Sequence, residues 1–387
     1  MSSPGLPAGQ QTVRRHNLSL ITAALASATS SRAELAHRTG LTKATVSSLV
    51  DTLLAQGILV EGSAPIARVG RPARPISLNP NGPVALGVEV NVDYVAACVL
   101  ELTGRVRAYR HVMVDNRARI AEAIVRHIAT LAQQVLVESE APLLGAALAV
   151  PGVVGTEQEL LRAPNLPRLV GVRLGDGLSQ RLGVPDLLVD NEANFGALGW
   201  LRDPADDGRD FVYVSGEIGV GAGVVVAGEL FRGVAGFAGE LGHVVVDRDG
   251  PQCGCGGQGC LEQYAGQEVL LAAAGQPDLA GLLDGIAIGD PVATEAVTMA
   301  GAALGVGLSS MLNVLDLPTV VLGGLYARLF DAITPAIRTE LDRRVLSGPG
   351  TELCRSSLGA DAAVRGAAGA VLDRALRDPA AISTAAG

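Results

Sequence analysis

A chain of 387 residues is too long for one ordinary hydrophobic core and predicts two or three domains; 48% of it is hydrophobic and only 3% aromatic, a globular composition. Its longest apolar run, from Met299 to Gly324, is broken by Ser309, Ser310, Asn313, Asp316 and Pro318, which argues against a membrane span and for a buried small-residue helix followed by a strand. The net charge of −9 is unevenly spread: residues 10–80 hold eight Arg or Lys against three acids, a net +5, leaving −14 on the remainder, so nucleic acid is expected to meet the N-terminal head alone. No charged-then-apolar leader opens the chain, and the expected location is the cytoplasm, off the membrane.

The head opens with a helix whose Val13, Asn17, Leu18, Ile21 and Leu25 share one face. Ser31 stands three residues before Glu34, a capping-box spacing that predicts a short helix over 32–38 burying Leu35 and Ala36. Thr39-Gly40-Leu41 turns the chain, and Thr42 can cap a third helix with Val46, Leu49, Val50, Leu53 and Leu54 inward and Lys43, Ala44, Ser47 and Ser48 outward. A plain three-helix bundle has the same apolar spacing, so the outward face decides. It is short, carries Lys43 as its one charge, and with Thr42 offers small groups that approach base edges and thymine methyls in the major groove of double-stranded operator DNA, as a helix-turn-helix does. Gly57 ends the helix, and residues 58–61 and 74–78 read as two strands around a wing. The wing carries Arg68, Arg71 and Arg74 in a Gly-Arg-Pro segment, where Gly70 and Pro72 would present Arg71 to a narrow minor groove; a solvated loop is the alternative. The winged helix-turn-helix is assigned to residues 12–80.

The pattern then becomes α/β, and residues 84–378 are assigned to a second domain. Strands are expected over 84–90, 94–102 and 105–114, with Thr103-Gly104 as a tight turn, then a helix over 120–138 and a strand over 143–150 ending at Pro151-Gly152. A similar opening recurs as 211–214, 221–227 and a strand near 244–246, so two α/β lobes with a cleft between them are expected, the layout of an actin-like ATPase; a generic α/β protein would give similar runs. A helix over 295–315, a strand over 319–322 and a C-terminal helix near 363–377 complete the body. Cys98 and Cys354 have no partner at metal spacing and read as core residues. The other three cysteines, Cys253, Cys255 and Cys260, follow His243 closely, and three thiols with one imidazole make a closed tetrahedral set for a structural zinc; a redox pair or a disulfide is the alternative.

Two stretches resemble one known family. Ala-Gly-Glu-Leu-Gly-His over 238–243, followed by Cys-Gly-Cys-Gly-Gly-Gln-Gly-Cys-Leu-Glu over 253–262, is similar to the zinc signature of the ROK family, which groups sugar-responsive repressors with sugar kinases. The head resembles the winged helix-turn-helix of that family's xylose-type repressors in Val-Arg-Arg-His-Asn-Leu from Val13, Ser-Arg-Ala-Glu-Leu-Ala from Ser31 and Gly-Arg-Pro-Ala from Gly70, and the likeness extends over about residues 13–375. It implies an N-terminal winged helix-turn-helix followed by a two-lobed actin-like (ROK) fold with a structural zinc loop. It further implies a repressor of carbohydrate-metabolism genes, with a monosaccharide effector (xylose or glucose) in the cleft, that forms a homodimer or a dimer of dimers. By the same resemblance Glu240, His243 and Glu262 face sugar hydroxyls, His243 gives its other ring nitrogen to zinc, and Gly152 lies in a loop beside the sugar. Asp190-Asn191-Glu192-Ala193-Asn194 is similar to the family's Asn-Asp-Ala-Asn, which makes Asn191 a sugar ligand and puts Glu192, one methylene longer than Asp, in the position of the catalytic base; a plain helix N-terminus would read the same. The family kinases' Asp-x-Gly-x-Thr is replaced at its three defining positions by Glu89, Asn91 and Asp93, and their second phosphate loop here carries Glu217, so acids stand where a polyphosphate would sit and no enzyme is expected. The alternative is a sugar kinase with an accessory DNA-binding head.

Overall fold

The computed structural model describes residues 9–62, 74–203, 208–348 and 350–382. The head is built from α1 (Gln10–Ser27), α2 (Arg32–Thr39), α3 (Lys43–Ala55) and the antiparallel pair β1 (Leu59–Glu61) and β2 (Ile76–Leu78). Local chemistry explains its joints. Ser31 and Glu34 form the complete reciprocal capping box, Gly40 takes the left-handed conformation after α2, and the Thr42 hydroxyl accepts the Thr45 N–H to start α3. Leu18, Ile21, Leu35, Val46, Leu49, Val50 and Leu53 close one core, whereas Val13, expected on the inner face, is 47% exposed because α1 leaves its first turns unpacked. Arg68 and Arg71, with the rest of the expected wing, lie outside the described residues.

The first lobe contains β3 (Val84–Val90), β4 (Tyr94–Glu101), β5 (Val106–Met113), α4 (Ala121–Ser139), β6 (Leu143–Val150), β7 (Val153–Val154), β8 (Leu160–Arg162), α5 (Leu174–Leu182), β9 (Leu188–Asn191) and α6 (Glu192–Leu201). Its five-stranded sheet has the order β5-β4-β3-β6-β9, antiparallel through β3, β4 and β5 and parallel through β3, β6 and β9. The second lobe contains β10 (Phe211–Gly216), β11 (Val220–Val226), β12 (Glu229–Leu230), α7 (Glu262–Ala265), α8 (Gln267–Ala273), α9 (Leu279–Ala287), α10 (Pro291–Leu315), β13 (Thr319–Gly323), α11 (Gly324–Arg328), α12 (Phe330–Arg344) and β14 (Glu352–Arg355), and α13 (Ala362–Arg377) returns to the first lobe. Its sheet, β12-β11-β10-β13-β14, repeats the same mixture of three antiparallel strands and two parallel additions, so the two lobes are copies of one motif. The expected strand at 244–246 is not one: Leu241–His243 forms a single 3-10 turn and only Val245 bridges, to Cys260, because these β-branched residues have no neighbouring strand edge to join.

β3 is buried on both sides, which requires cover on both faces of the sheet. One face packs Leu86 and Val88 against Ile124, Ile128 and Val135 of α4; the other packs Ala85 and Cys98 against Val364, Ala367 and Val371 of α13. The second lobe buries Val212 and Val214 against α10 and α12. α10 is long and apolar enough to cross a membrane by length and composition, yet Ala293, Val297, Ala300, Leu304, Leu308 and Leu312 lie in this core. α13 and α6 approach so closely that a Cβ at Gly366 would overlap the Phe195 carbonyl oxygen. The far end of α13 receives the head: Leu18, Ile21 and Leu25 share a core cluster with Val371, Leu372 and Leu376, the Thr22 hydroxyl donates to the Leu376 carbonyl (2.5 Å), and Arg15 Nε donates to Asp378 (3.0 Å).

Candidate functional site

Strand ends and loops of the two lobes line a cavity of about 80 Å³, room for on the order of half a dozen water-sized groups and hence for one small polar ligand. Gly152, Asn191, Glu192, Glu240, His243 and Glu262, drawn from segments more than a hundred residues apart, all line it. Asn91, Asn165, Asn194 and Glu217 line it too; Asn165 had no motif to mark it, and Asn194 was visible only as the end of the Asp190–Asn194 run. The first lobe's contribution is held by backbone geometry. Gly152 has φ +111°, where a Cβ would also overlap the Arg162 carbonyl, and its own carbonyl accepts the Asn191 side-chain amide at 2.8 Å. Asn191 Oδ1 accepts the Ala193 N–H at 2.7 Å, so this residue caps α6 and faces the cavity at the same time.

Glu192, the first residue of α6, is half-buried; desolvation, then the charges of Glu89, Glu217 and Glu240, hold its carboxyl well above the usual range, and the Asn191 amide sits 3.1 Å from its Oε2. A protonated carboxyl is a hydrogen-bond donor and acceptor, suited to a hydroxyl and unsuited to taking a proton from one. From the second lobe Glu240 is raised by burial, an effect His243 opposes, and Glu262 packs over Gly219.

Behind Glu240 the cysteines converge. His243 Nδ1 lies 3.8 Å from Cys253 Sγ, Cys255 Sγ lies 3.7 Å from Cys260 Sγ, and all four ligand atoms fall within 4.8 Å of one another. A four-coordinate metal with thiolate bonds of about 2.3 Å has tetrahedron edges of about 3.8 Å, which the two shorter separations match, and the others close to it with small side-chain shifts. The Cys255 thiol is held below its usual range, first by the Gly257 N–H that it accepts, which favours the thiolate that a metal needs. His243 Nε2 points the other way, 3.8 Å from Glu240 Oε2, so a single imidazole joins the metal set to the cavity.

The residues expected to face a polyphosphate also converge, but on a void of only about 10 Å³, about one water, walled by Glu89, Glu192, Ser215, Glu217 and Gly324. Asp93 stays outside that wall, and Glu192 completes the acidic group in its place. Burial pushes Glu89 to about 7, against hydrogen bonds from Tyr94 and Asn91, and pushes Glu217 to about 8, helped by Glu89 and Asp93. Glu89 Oε1 accepts the Tyr94 hydroxyl at 2.6 Å while its Oε2 has no partner among the described residues.

On the head, Thr42, Lys43, Ala44 and Ser48 are exposed and Ser47 half-buried, leaving the outer face of α3 open. Arg74 is exposed beside Glu61 at 3.4 Å, and Glu61 is also held by Arg32 at 2.5 Å, so an acid at the root of the wing tethers one of the expected DNA-facing arginines.

A family model described as the ROK family matches residues 85–374, and one described as the IclR helix-turn-helix domain matches residues 23–62. A xylose repressor of Bacillus subtilis (strain 168) is 32% identical over 361 residues, covering 89% of this chain and 92% of that protein. Among solved structures, a ROK family transcriptional regulator described as a homolog of the E. coli MLC protein superposes with a TM-score of 0.78 at 23% identity, covering 95% of this chain and 97% of its own. A ROK family glucokinase from Streptomyces griseus, solved with glucose and AMPPNP, has a TM-score of 0.65 at 27% identity and covers 74% of this chain and 98% of its own.

Proposed function

The chain belongs to the ROK family, and from that premise we propose that it is a sugar-responsive DNA-binding repressor of carbohydrate-metabolism genes, a regulator and not a kinase. Residues 12–80 bind operator DNA and residues 84–378 bind the effector. The outer face of α3, Thr42, Lys43, Ala44, Ser47 and Ser48, reads the major groove, and Arg68, Arg71 and Arg74 serve the wing. The ligand is a monosaccharide, with Asn191, Glu192, Glu240, His243 and Glu262 meeting its hydroxyls beside Gly152, and xylose is the favoured effector over glucose. Zinc held by His243, Cys253, Cys255 and Cys260 is structural: with four protein ligands it keeps no open position for chemistry, and its part is to fix the imidazole that faces the sugar. A protein that binds operator DNA acts in the cytoplasm, and paired half-sites call for a homodimer or a dimer of dimers.

The observation that carries this reading is the continuous packing from cavity to head. Asn191 caps α6, α6 lies against α13 at Gly366, and α13 holds α1 through Thr22 and the Leu18–Leu376 cluster. A sugar that draws the lobes together shifts α6 and therefore the seat of the head. The kinase alternative is opposed by the water-sized void at the expected phosphate position and the three carboxyls that wall it, which leave no space or favourable charge for ATP.

Operator duplexes selected from a random pool by the purified protein, then titrated by fluorescence anisotropy with xylose or glucose, test it. Release of bound duplex by a sugar, with no sugar-dependent ATP consumption, is the expected result. Sugar-dependent ATP consumption without duplex binding would establish the kinase instead.

A further inference from the structure

Asp190 precedes the two residues that line the cavity and lines none of it, yet it is the hub that holds them. Its Oδ1 accepts the Asn191 N–H at 2.8 Å and the Asn194 side-chain amide at 2.7 Å, both from its own lobe. Its Oδ2 is taken from the opposite lobe: Arg232, just beyond β12, places Nε at 2.9 Å and a terminal nitrogen at 2.8 Å from it. Asp190 is 11% exposed and Arg232 51%, so the pair sits at the cleft's rim with its acid inside and its base half in water.

The segment that Arg232 begins leads directly to the second lobe's ligand residues. The Arg232 carbonyl accepts the Ala238 N–H at 3.2 Å, closing a small loop, and within that loop Gly236 passes so near the Val154 carbonyl of the first lobe that a Cβ would lie 2.5 Å from it. Gly236, Ala238, Gly239 and Glu240 then line the cavity in succession. Of the other ion pairs among the described residues, Arg117 with Glu268 at 3.5 Å and Arg377 with Glu229 at 3.1 Å also join the lobes, but none of these four residues lines the cavity.

We propose that Arg232 is a positioning residue for the effector: by pairing with Asp190 it clamps the Gly236–Glu240 segment of one lobe onto the Asn191–Glu192 motif of the other, and the affinity for a neutral sugar thereby depends on an ion pair that the sugar never touches. This rests on the sugar-responsive reading above and adds to it a residue that the zinc signature and the Asn191 motif leave out. Loss of the clamp frees the loop and removes one of three hydrogen-bonding partners from a nearly buried carboxylate, so the two halves of the pocket no longer arrive pre-aligned.

A neutral ligand supplies a clean readout, because salt acts on its binding only through charges of the protein. Xylose titrations by calorimetry at low and high sodium chloride, on the zinc-loaded full chain, are expected to show affinity falling with salt for the wild type. Arg232→Ala should bind xylose about tenfold more weakly and lose most of that salt dependence, and Arg232→Lys, which keeps the cation, should recover to within a few-fold of wild type. Operator affinity without sugar should stay near the wild-type value in both variants, since α3 is not touched, and the melting temperature of the sugar-free Arg232→Ala protein should fall by no more than a few degrees. Unchanged xylose affinity in Arg232→Ala overturns the clamp and leaves the sugar reading intact. Equal loss in the Ala and Lys variants also overturns it, by assigning the effect to packing, whereas a wild type that binds no monosaccharide takes down the functional reading and the clamp together.

Discussion

At the scale of single residues, the cleft is distinguished by carboxyls that keep their protons. Glu89 and Glu217 are raised to about 7 and about 8 because burial penalises the anion, with Asp361 adding to the effect at Glu89 and with Glu89 and Asp93 adding to it at Glu217. An unfolded chain releases these protons in the ordinary carboxylate range, while the folded protein holds them until pH 7–8, so the folded state binds more protons across that window and stability falls as pH rises through it. Glu89→Gln, which stays neutral and still accepts from Tyr94, should flatten the decline in melting temperature between pH 5.5 and 8, removing about 2 kcal/mol of pH-dependent loss. Scanning fluorimetry across that range checks it, and an unaltered slope would mean Glu89 is ionised in the fold. Glu192 bears on ligand choice. A hexose carries a terminal hydroxymethyl arm that xylose lacks, and on the proposed reading the extra methylene of Glu192 compared with Asp would occupy that space. Wild type should therefore bind xylose more tightly than glucose, and Glu192→Asp should narrow the gap by about 1 to 3 kcal/mol. Calorimetry with both sugars decides; a glucose preference in the wild type would mean another part of the cavity wall selects the ligand.

At the scale of elements, the loop from Gly239 to Glu262 has little regular structure to stabilise it: one 3-10 turn and two isolated bridges, Val245 to Cys260 and Gln252 to Gln258. Its shape depends on what its four donors hold in common. Cys255→Ser should abolish stoichiometric zinc, measured by elemental analysis, and lower sugar affinity at least tenfold, because His243 loses the anchor that orients Nε2 toward Glu240. Wild-type protein purified without zinc, or a Cys255→Ser protein of normal sugar affinity, would separate the loop from the pocket. The head's joints were readable in advance for a physical reason: a capping box and a hydroxyl N-cap act over three residues, within the reach of a local pattern. The run Val244-Val245-Val246 had equally good local strand character and formed no strand, since a strand also needs a partner edge, which no local pattern supplies.

At the scale of the whole molecule, the head is carried by a helix more than 330 residues away in the chain. Thr22 fills a bonding position at the end of α13 and is completely buried. Thr22→Val preserves shape but leaves the Leu376 carbonyl without that donor, at a cost of about 1 kcal/mol. The expected consequence is a melting temperature a few degrees lower with operator affinity nearly kept, and a severalfold smaller drop in operator affinity on adding sugar, since the coupling free energy passes through this junction. Anisotropy titrations with and without xylose measure that ratio, and an unchanged ratio would place the coupling elsewhere.

The kinds of groups present were legible from the amino-acid order: a helix-turn-helix from caps and apolar spacing and a metal-type set from three thiols and an imidazole, whereas the expectation of a sugar ligand at Asn191 and of acids at 89 and 217 in place of phosphate-binding residues came from the family resemblance. Each depends on side-chain chemistry or on neighbours within a few positions, which a linear string preserves. Only the tertiary structure decided how these groups meet. It brought Glu89, Glu192 and Glu217 around a single water-sized void, set His243 between metal donors and cavity, paired Arg232 with Asp190 across 42 positions and seated α1 on α13. Such meetings follow from the packing of two sheets and the burial it imposes, and a carboxyl's proton or an arginine's partner is set by that enclosure, which no local pattern of residues encodes.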